Sequence, residues 1–152
     1  MIRKAATSDV VKIKTLIDPF VKQGLILPRS LNSLYTFLRD FCVMCTLPGQ
    51  TDIIGCCALS LSWEDLGEIR TLAIRDQHQG KTNGTSLVKA CMSEAKELGL
   101  KRLFTLTYIP FFFKRMGFSE IDKSELPQKI WADCINCPYF PDCKEVALIY
   151  HL

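Results

Sequence analysis

The 152-residue sequence has no apolar run long enough to span a membrane and no block of like charges. Its formal net charge of +3 is too small to indicate nucleic-acid binding. The N-terminal residues 1–6 lack the apolar core of a secretory signal peptide. We therefore expect a cytoplasmic protein that binds neither a membrane nor nucleic acid.

The composition is that of an ordinary globular protein, with 48% hydrophobic and 23% charged residues. A length of 152 residues suits one domain around one core, and no internal repeat, low-complexity tract or linker divides the chain. Eight cysteines without an export signal indicate reduced thiols. We predict a single domain over residues 1–152 with a cysteine-containing C-terminal tail.

Hydrophobic periodicity predicts alternating strands and helices along the chain. Strands are predicted at residues 1–5, 41–47, 53–63, 68–74, 102–108 and 146–150. Helices are predicted from Ser8, as the N-cap, to Gly24, from Ser30 through Arg39, from about Asn83 to Gly99, and near residues 126–132. This order by itself supports a mixed sheet with flanking helices.

The stretch Gln79-Gly80-Lys81-Thr82-Asn83-Gly84 links a strand-like run to a strong helical pattern at residues 85–98. The first N–H groups of a helix have no intrahelical partner, and that end of the helix dipole is positive. A glycine-bearing loop there is an anion site that fits a pyrophosphate, although its glycines also suit a tight turn. The sequence therefore predicts a nucleotide-derived cofactor, bound by Gln79, Gly80, Lys81, Thr82, Asn83, Gly84 and Thr85.

The loop is followed by a second strand, a short aromatic segment and Met116-Gly117-Phe118. This order resembles the GNAT acyltransferase superfamily over nearly all of the chain. The loop signature of that superfamily, Gln/Arg-x-x-Gly-x-Gly/Ala, falls on Gln79, Thr82 and Gly84, so threonine replaces its first glycine. The resemblance implies an α+β GNAT fold with a mixed, mostly antiparallel twisted sheet. It also implies that acetyl-CoA is a co-substrate bound along the backbone of Leu72, Ala73 and Ile74.

Acetyl transfer to an amine requires that the amine lose a proton and that the thioester carbonyl be polarised. Glu68 begins the strand that leads to the loop, so it is the candidate base, unless it is a solvated charge at the strand entrance. Many superfamily members place a proton-donating tyrosine four residues before the glycine of the Gly-Phe pair, where this chain has Phe113. Tyr108 is the nearest substitute. It could instead lie at the core margin, and the thiolate could leave without an acid.

Several segments, among them Leu27-Pro-Arg-Ser30 and Glu68-Ile-Arg-Thr-Leu72, narrow the resemblance to short bacterial N-acetylglutamate synthases. That resemblance implies acetyl transfer to the α-amine of L-glutamate, which is the entry to arginine biosynthesis. The two carboxylates of glutamate favour guanidinium partners. Arg70 shares a strand face with Glu68 by alternation, and Arg29 lies in the loop between the first two helices. Lys129 is a third candidate, and each of these cations could instead be an exposed charge.

The tail contains Cys134, Cys137 and Cys143, a spacing that can chelate zinc or an iron–sulfur cluster. The local pattern lacks a fourth ligand, which Asp133, Asp142, His151 or a second chain could supply. We expect no metal and interpret these cysteines as reduced thiols that pack the tail, with metal binding as the open alternative. Cys42 and Cys45 should point to opposite faces of a strand, so they are not expected to chelate an ion together.

Two other functions stay open from the sequence. The first is a GNAT acetyltransferase whose acceptor is another amino acid or a protein amine. The second is a coenzyme-A-binding module without catalysis, which the replacements at Thr82 and Phe113 favour. A thiol-release assay over a panel of amino acids separates these functions. The sequence also leaves open whether the chain forms a homodimer.

Overall fold

The computed structural model describes residues 1–127 and 144–152. Within them, seven strands form one sheet in the order β1-β2-β3-β4-β5-β7-β6. The strands are β1 (Ile2–Lys4), β2 (Phe41–Met44), β3 (Gly55–Leu61), β4 (Leu66–Ile74), β5 (Arg102–Thr107), β6 (Ser119–Ile121) and β7 (Val146–His151). All neighbours pair antiparallel except β4 and β5, so the predicted α+β fold with a mixed, mostly antiparallel sheet is confirmed.

Helices pack on both faces of this sheet because each buries an apolar stripe. The described helices are α1 (Val10–Lys22), α2 (Leu31–Thr36), α3 (Asn83–Glu97) and α4 (Pro110–Arg115). On one face, Leu87 and Cys91 of α3 belong to a buried cluster with the strands. On the other face, Ile13 of α1 and Leu34 of α2 belong to a second cluster. The sheet is thereby covered on both sides.

The central feature of the sheet is a gap between β4 and β5. Their parallel pairing covers three residue pairs and ends at Glu68↔Phe104, although β5 pairs with β7 along its whole length. On its other edge β4 carries a bulge, because Thr71 and Leu72 oppose the single residue Cys57 of β3. Thr71 has a φ of 54°, which a β-branched residue rarely adopts. The gap and the bulge together leave the second half of β4 available to line a site.

The two helix caps predicted from serine had different outcomes. Ser30 caps α2 as predicted, because its hydroxyl accepts the N–H of Ser33 at 3.0 Å. The predicted cap at Ser8 is wrong: Thr7–Asp9 forms a 3₁₀ turn, and α1 begins at Val10. The carboxylate of Asp9, one residue after Ser8, closes this turn in place of the serine hydroxyl.

The other helix boundaries differ from prediction by a few residues. Helix α2 ends at Thr36, and a separate 3₁₀ turn at Leu38–Asp40 occupies the end of the longer helix predicted there. Gly99 follows α3 with a φ of 86°, the left-handed conformation expected of a helix-terminating glycine. Of the short helix predicted before the tail, Leu126 is extended, and residues 128–132 lie outside the described part of the chain.

The described cysteines all lie in the core as free thiols, namely Cys42, Cys45, Cys56, Cys57 and Cys91. Cys42 and Cys45 belong to clusters on opposite faces of the sheet, which confirms the predicted orientation of that pair. Across residues 1–127 and 144–152, no group of histidine, cysteine or acidic side chains is arranged to hold a metal ion.

The cysteines of the predicted tail motif, Cys134, Cys137 and Cys143, lie outside the described residues. Within the described ranges, no helix combines the length and the apolar composition needed to cross a bilayer.

A partly buried ion pair joins β1 to the start of α1. The Asp9 carboxylate, 1% exposed, accepts hydrogen bonds from Arg3 at 2.6 and 3.0 Å and from the N–H of Ala6 at 2.7 Å. This carboxylate closes the turn that the sequence assigned to Ser8. The hydrogen bond from Arg3 lowers the pKa of Asp9 below its ordinary value.

We expect Asp9→Asn to lower the free energy of unfolding at pH 7 by about 1–3 kcal/mol, because a neutral amide cannot replace the carboxylate toward Arg3. The folded pKa of Asp9 is lowered, so its contribution is present above the unfolded pKa of about 3.9 and is lost as the pH falls through the folded value. Urea unfolding at pH 7 and at about pH 3 should show that the difference in free energy of unfolding between wild type and variant is smaller at the lower pH. A difference in free energy of unfolding that does not change with pH would contradict this role of the Asp9 charge.

Candidate active site

A cavity of about 1050 Å³ opens where β4 and β5 diverge. Its volume is at the upper end of the range for ligand pockets in proteins. The wall combines the second half of β4, the end of β5, the loop into α3, the first turns of α3, and the segment that follows α1. The predicted residues found in the wall are Glu68, Arg70, Leu72, Ala73, Ile74, Gln79, Gly80, Thr82, Asn83, Gly84, Thr85 and Tyr108.

Side-chain amides hold the loop between β4 and α3. Gln79 Nε2 donates to the carbonyl of Ile74 at 2.9 Å and to Asp76 Oδ1 at 3.3 Å. Asn83 Nδ2 donates to the carbonyl of His78 at 2.9 Å. These amides therefore shape the loop, and the first turn of α3 contributes to the cavity wall. The N–H groups of that turn have no intrahelical partner, so they suit a phosphate oxygen.

Two positions of the loop signature have distinct structural roles. Thr82 precedes α3 with a φ of 65°, a left-handed conformation that a glycine adopts without strain. The threonine at this position is therefore strained. Gly84 lies against an aromatic ring, because an added Cβ would be 3.3 Å from Phe112 Cζ. The absence of a side chain at Gly84 lets α3 pack closely against Phe112.

Glu68 and Arg70 lie on the same face of β4, as alternation predicts, and both line the cavity. Glu68 Oε1 is 3.7 Å from Arg70 Nη1, and the two side chains are 14% and 27% exposed. Glu68 is also the last residue of β4 that pairs with β5. Its carboxylate is therefore attached to a backbone fixed on both edges, at the point where the cavity opens.

Arg29 is only 8% exposed, so the interpretation of Arg29 as an exposed charge is wrong. Its Cζ atom lies 5.1 Å from the centroid of the Phe41 ring and 5.9 Å from that of Phe37, and Nη1 donates to the Thr71 hydroxyl at 3.4 Å. Arg29 thus lies behind Thr71, which lines the cavity. Burial lowers the pKa of Arg29 below its ordinary value, and the charge of Arg70 lowers it further.

Tyr108 follows the end of β5 and lines the cavity as a half-buried side chain. Phe113, at the position where the superfamily often has tyrosine, is 2% exposed. Its ring packs edge-on against Phe112 at 5.0 Å and Phe118 at 5.2 Å between centroids. Phe113 therefore packs in the core at the edge of the cavity, which two described tyrosines, Tyr108 and Tyr150, also line.

The cavity wall also contains residues that the sequence analysis did not identify, among them Phe20, Leu27, Lys89, Thr105, Thr107 and Arg115. Alternation along β5 places Thr105 and Thr107 on one face, so a signal for these two hydroxyls was present in the sequence. The contribution from the end of α1 depends on packing between distant segments and had no local signal. Lys81 is exposed and is not part of the wall, so its place at the cofactor stays a prediction. Lys129 lies outside the described residues.

Known proteins similar to this chain are acetyltransferases. The profile of the acetyltransferase (GNAT) family matches residues 15–118. An uncharacterised N-acetyltransferase of Chlorobaculum tepidum is 38% identical over 148 residues, which cover 97% of this chain and 94% of that protein. The amino-acid acetyltransferase of Mycobacterium tuberculosis is 35% identical over 131 residues, which cover 86% of this chain and 75% of that protein.

Among solved structures, N-acetylglutamate synthase from Neisseria gonorrhoeae, complexed with coenzyme A and N-acetyl-glutamate, superposes with a TM-score of 0.88 at 29% identity. The superposition covers 100% of this chain and 35% of the Neisseria chain. The fold described above is therefore shared with a coenzyme-A-binding acetyltransferase, of which this chain spans about a third.

We expect Thr82→Gly to raise the free energy of unfolding by up to about 1 kcal/mol. The left-handed conformation costs a non-glycine residue about 1–2 kcal/mol, whereas the added freedom of glycine in the unfolded chain costs about 0.5–1 kcal/mol. Thr85→Gly is the matched control inside α3 and should lower the stability by a few tenths of a kcal/mol. Urea unfolding compares the two variants, and equal destabilisation by both would disprove strain at Thr82.

Proposed function

This chain belongs to the acetyltransferase (GNAT) family, and we propose that it transfers the acetyl group of acetyl-CoA to the α-amine of L-glutamate. The chain is an N-acetyltransferase because it belongs to this family, and the family uses acetyl-CoA as co-substrate. The name of the mycobacterial relative and the N-acetyl-glutamate in the Neisseria structure support an amino-acid acceptor. The proposed product is N-acetylglutamate, for arginine biosynthesis.

The observation that carries this proposal is a pair of neighbouring guanidinium groups beside the cavity. Arg70 lines the wall, and Arg29 is buried behind Thr71 without an ion pair to any described residue. Two like charges so placed repel each other, and burial adds a desolvation cost to Arg29. An anionic ligand offsets both costs. Glutamate brings two carboxylates to two guanidinium groups.

Arg29 also retains donors for such a ligand. Its guanidinium carries five N–H groups, and its one described side-chain hydrogen bond goes to the Thr71 hydroxyl. In the described part of the chain, no fully buried side-chain nitrogen or oxygen lacks a partner. The nitrogens of Arg29 that make no hydrogen bond are therefore not fully enclosed, and we infer that they bind a carboxylate beside Thr71.

The wall residues also fit acetyl-CoA, which when bound supplies the acetyl group and a thiolate leaving group. The first turn of α3 offers unpartnered N–H groups to phosphate oxygens, and Lys89 and Arg115 add positive charge to the wall. Leu72 in the bulge and Ala73 and Ile74 beyond it, none of which pairs with β5, border the same cavity. These residues are proposed to bind the co-substrate.

In the proposed mechanism, Glu68 takes a proton from the acceptor ammonium group, directly or through water, so that the amine becomes nucleophilic. Arg70 Nη1 lies 3.7 Å from this carboxylate and forms an ion pair with it. Tyr108 is the proposed donor of a proton to the departing sulfur, because the phenyl ring of Phe113 cannot donate one. A second candidate acceptor is another amino acid, since the α-carboxylate alone also suits one guanidinium group.

Glutamate and glutamine differ at neutral pH only in side-chain charge, so comparing them tests the arginine assignment. We expect wild type to use glutamate about ten- to a hundredfold better in kcat/KM, because a hydrogen bond to a charged group contributes about 1.5–3 kcal/mol. Arg29→Met keeps an unbranched apolar stem without the charge and should abolish the preference. Arg29→Lys should restore it only partly, because lysine lacks the two-pronged geometry.

Arg102→Met is the matched control for this comparison. It removes a surface ion pair with Asp65, 3.3 Å long, and Arg102 does not line the cavity. This variant should therefore retain the glutamate preference of wild type. Equal use of glutamate and glutamine by wild type would contradict the glutamate proposal and leave the acetyltransferase activity standing. Arg70→Ala, assayed in parallel, tests the second guanidinium group.

We expect Glu68→Gln to lower kcat by ~10²-fold or more, because the amide cannot take the amine proton. The loss should be largest at low pH, where less free amine is present, and coenzyme A affinity measured by calorimetry should stay close to wild type. Glu94→Gln, which breaks an ion pair with Lys4 outside the cavity, should leave kcat unchanged. A loss of only roughly two- to threefold in kcat for Glu68→Gln would mean that Glu68 is a solvated charge and does not take the amine proton.

A further inference from the structure

The parallel ladder between β4 and β5 ends at Glu68↔Phe104, inside the sheet. Ending a ladder in the interior of a protein leaves backbone N–H and C=O groups that still require partners, because an unpaired buried polar group is costly. The next residue of β4 is Ile69, which is 1% exposed. Its carbonyl is therefore the first group for which a partner other than the β5 backbone is needed.

The side chain of Thr105 supplies that partner. Its Oγ1 donates to the Ile69 carbonyl at 2.9 Å, and the residue is 2% exposed. Thr105 is also the first residue of β5 beyond the last parallel pair. The Thr105 hydroxyl thus replaces a backbone hydrogen-bond partner one residue after the last parallel pair. The bond satisfies the carbonyl and inserts a side chain between two strands that would otherwise be free to pair further.

We propose that Thr105 is a positioning residue that fixes where β4 and β5 separate, and so keeps the cavity open for acetyl-CoA. The residue acts through the backbone of β4, on which Glu68 and Arg70 flank Ile69 directly. Thr105 also lines the cavity. This role depends on acetyl-CoA binding in the cavity and is independent of which amine is the acceptor.

The strands on either side explain why one hydroxyl can have this effect. Beyond Ile69, β4 loses regular pairing with β3 at the bulge, whereas β5 remains paired with β7 up to Thr107. Among the described side-chain hydrogen bonds, the bond from Thr105 is therefore the one that holds the segment from Ile69 to the bulge on its β5 side. Without this bond, β4 can shift toward β5 or admit water, and either change alters the width of the cavity.

The test compares Thr105→Val, which keeps the shape and removes the hydroxyl, with Thr105→Ser, which keeps the hydroxyl. Calorimetric titration with coenzyme A should show about tenfold or more weaker binding for Thr105→Val and near wild-type binding for Thr105→Ser. Hydrogen exchange followed by mass spectrometry should be faster for peptides covering residues 66–74 in Thr105→Val only. Thr105→Ala serves in place of Thr105→Val if the valine variant does not fold.

Ile13→Val is the control, because Ile13 is buried in the cluster on the opposite face of the sheet. It should lower the melting temperature without changing coenzyme A affinity or exchange in residues 66–74. Wild-type coenzyme A affinity in Thr105→Val, with a melting temperature as low as that of Ile13→Val, would overturn the proposal and leave a structural role only. Failure of the glutamate proposal would appear in acceptor assays and would not alter these titrations.

Discussion

The site depends on the point at which β4 and β5 stop pairing. If the parallel ladder continued to the ends of both strands, the backbone of β4 would be satisfied and no cavity would exist between them. Both strands remain in the sheet because β3 holds β4 and β7 holds β5 on their outer edges. The opening therefore lies between two fixed strands. A site on fixed elements keeps its functional groups in place better than one on loops alone.

Backbone strain in the described residues concentrates beside this opening. Two non-glycine residues in that part of the chain have positive φ, Thr71 and Thr82, and both line the cavity. Such conformations persist only where the surrounding structure determines them. At Thr71, pairing with β3 resumes two residues later, and the guanidinium of Arg29 binds its hydroxyl. At Thr82, the first bonds of α3 fix the carbonyl through Ser86. Strain at both positions shapes the segment that runs from the bulge to the helix.

The features that the sequence predicted correctly are local ones. Periodicity predicted the order of the other strands and helices but not α4 or β6, and alternation along one strand placed Glu68 and Arg70 on one face. The features it did not predict depend on contacts between distant segments. Arg29 is buried because it packs on aromatic rings and binds Thr71, which is 42 positions away. The cap at Ser8 failed because a carboxylate held by Arg3, from the preceding strand, closes that turn. The choice of β5 as a parallel partner, and where that pairing ends, likewise has no local signal.

The buried cysteines have a consequence for a protein whose reaction releases a thiol. Burial raises the pKa of Cys56 to about 12, and a hydrogen bond with Cys91 together with burial raises the pKa of Cys42. Disulfide exchange requires a thiolate and access to it. These thiols are enclosed and their pKa values are raised, so we expect them not to form mixed disulfides with oxidised coenzyme A. The core described here therefore keeps its packing when the surrounding pool of small thiols becomes oxidised.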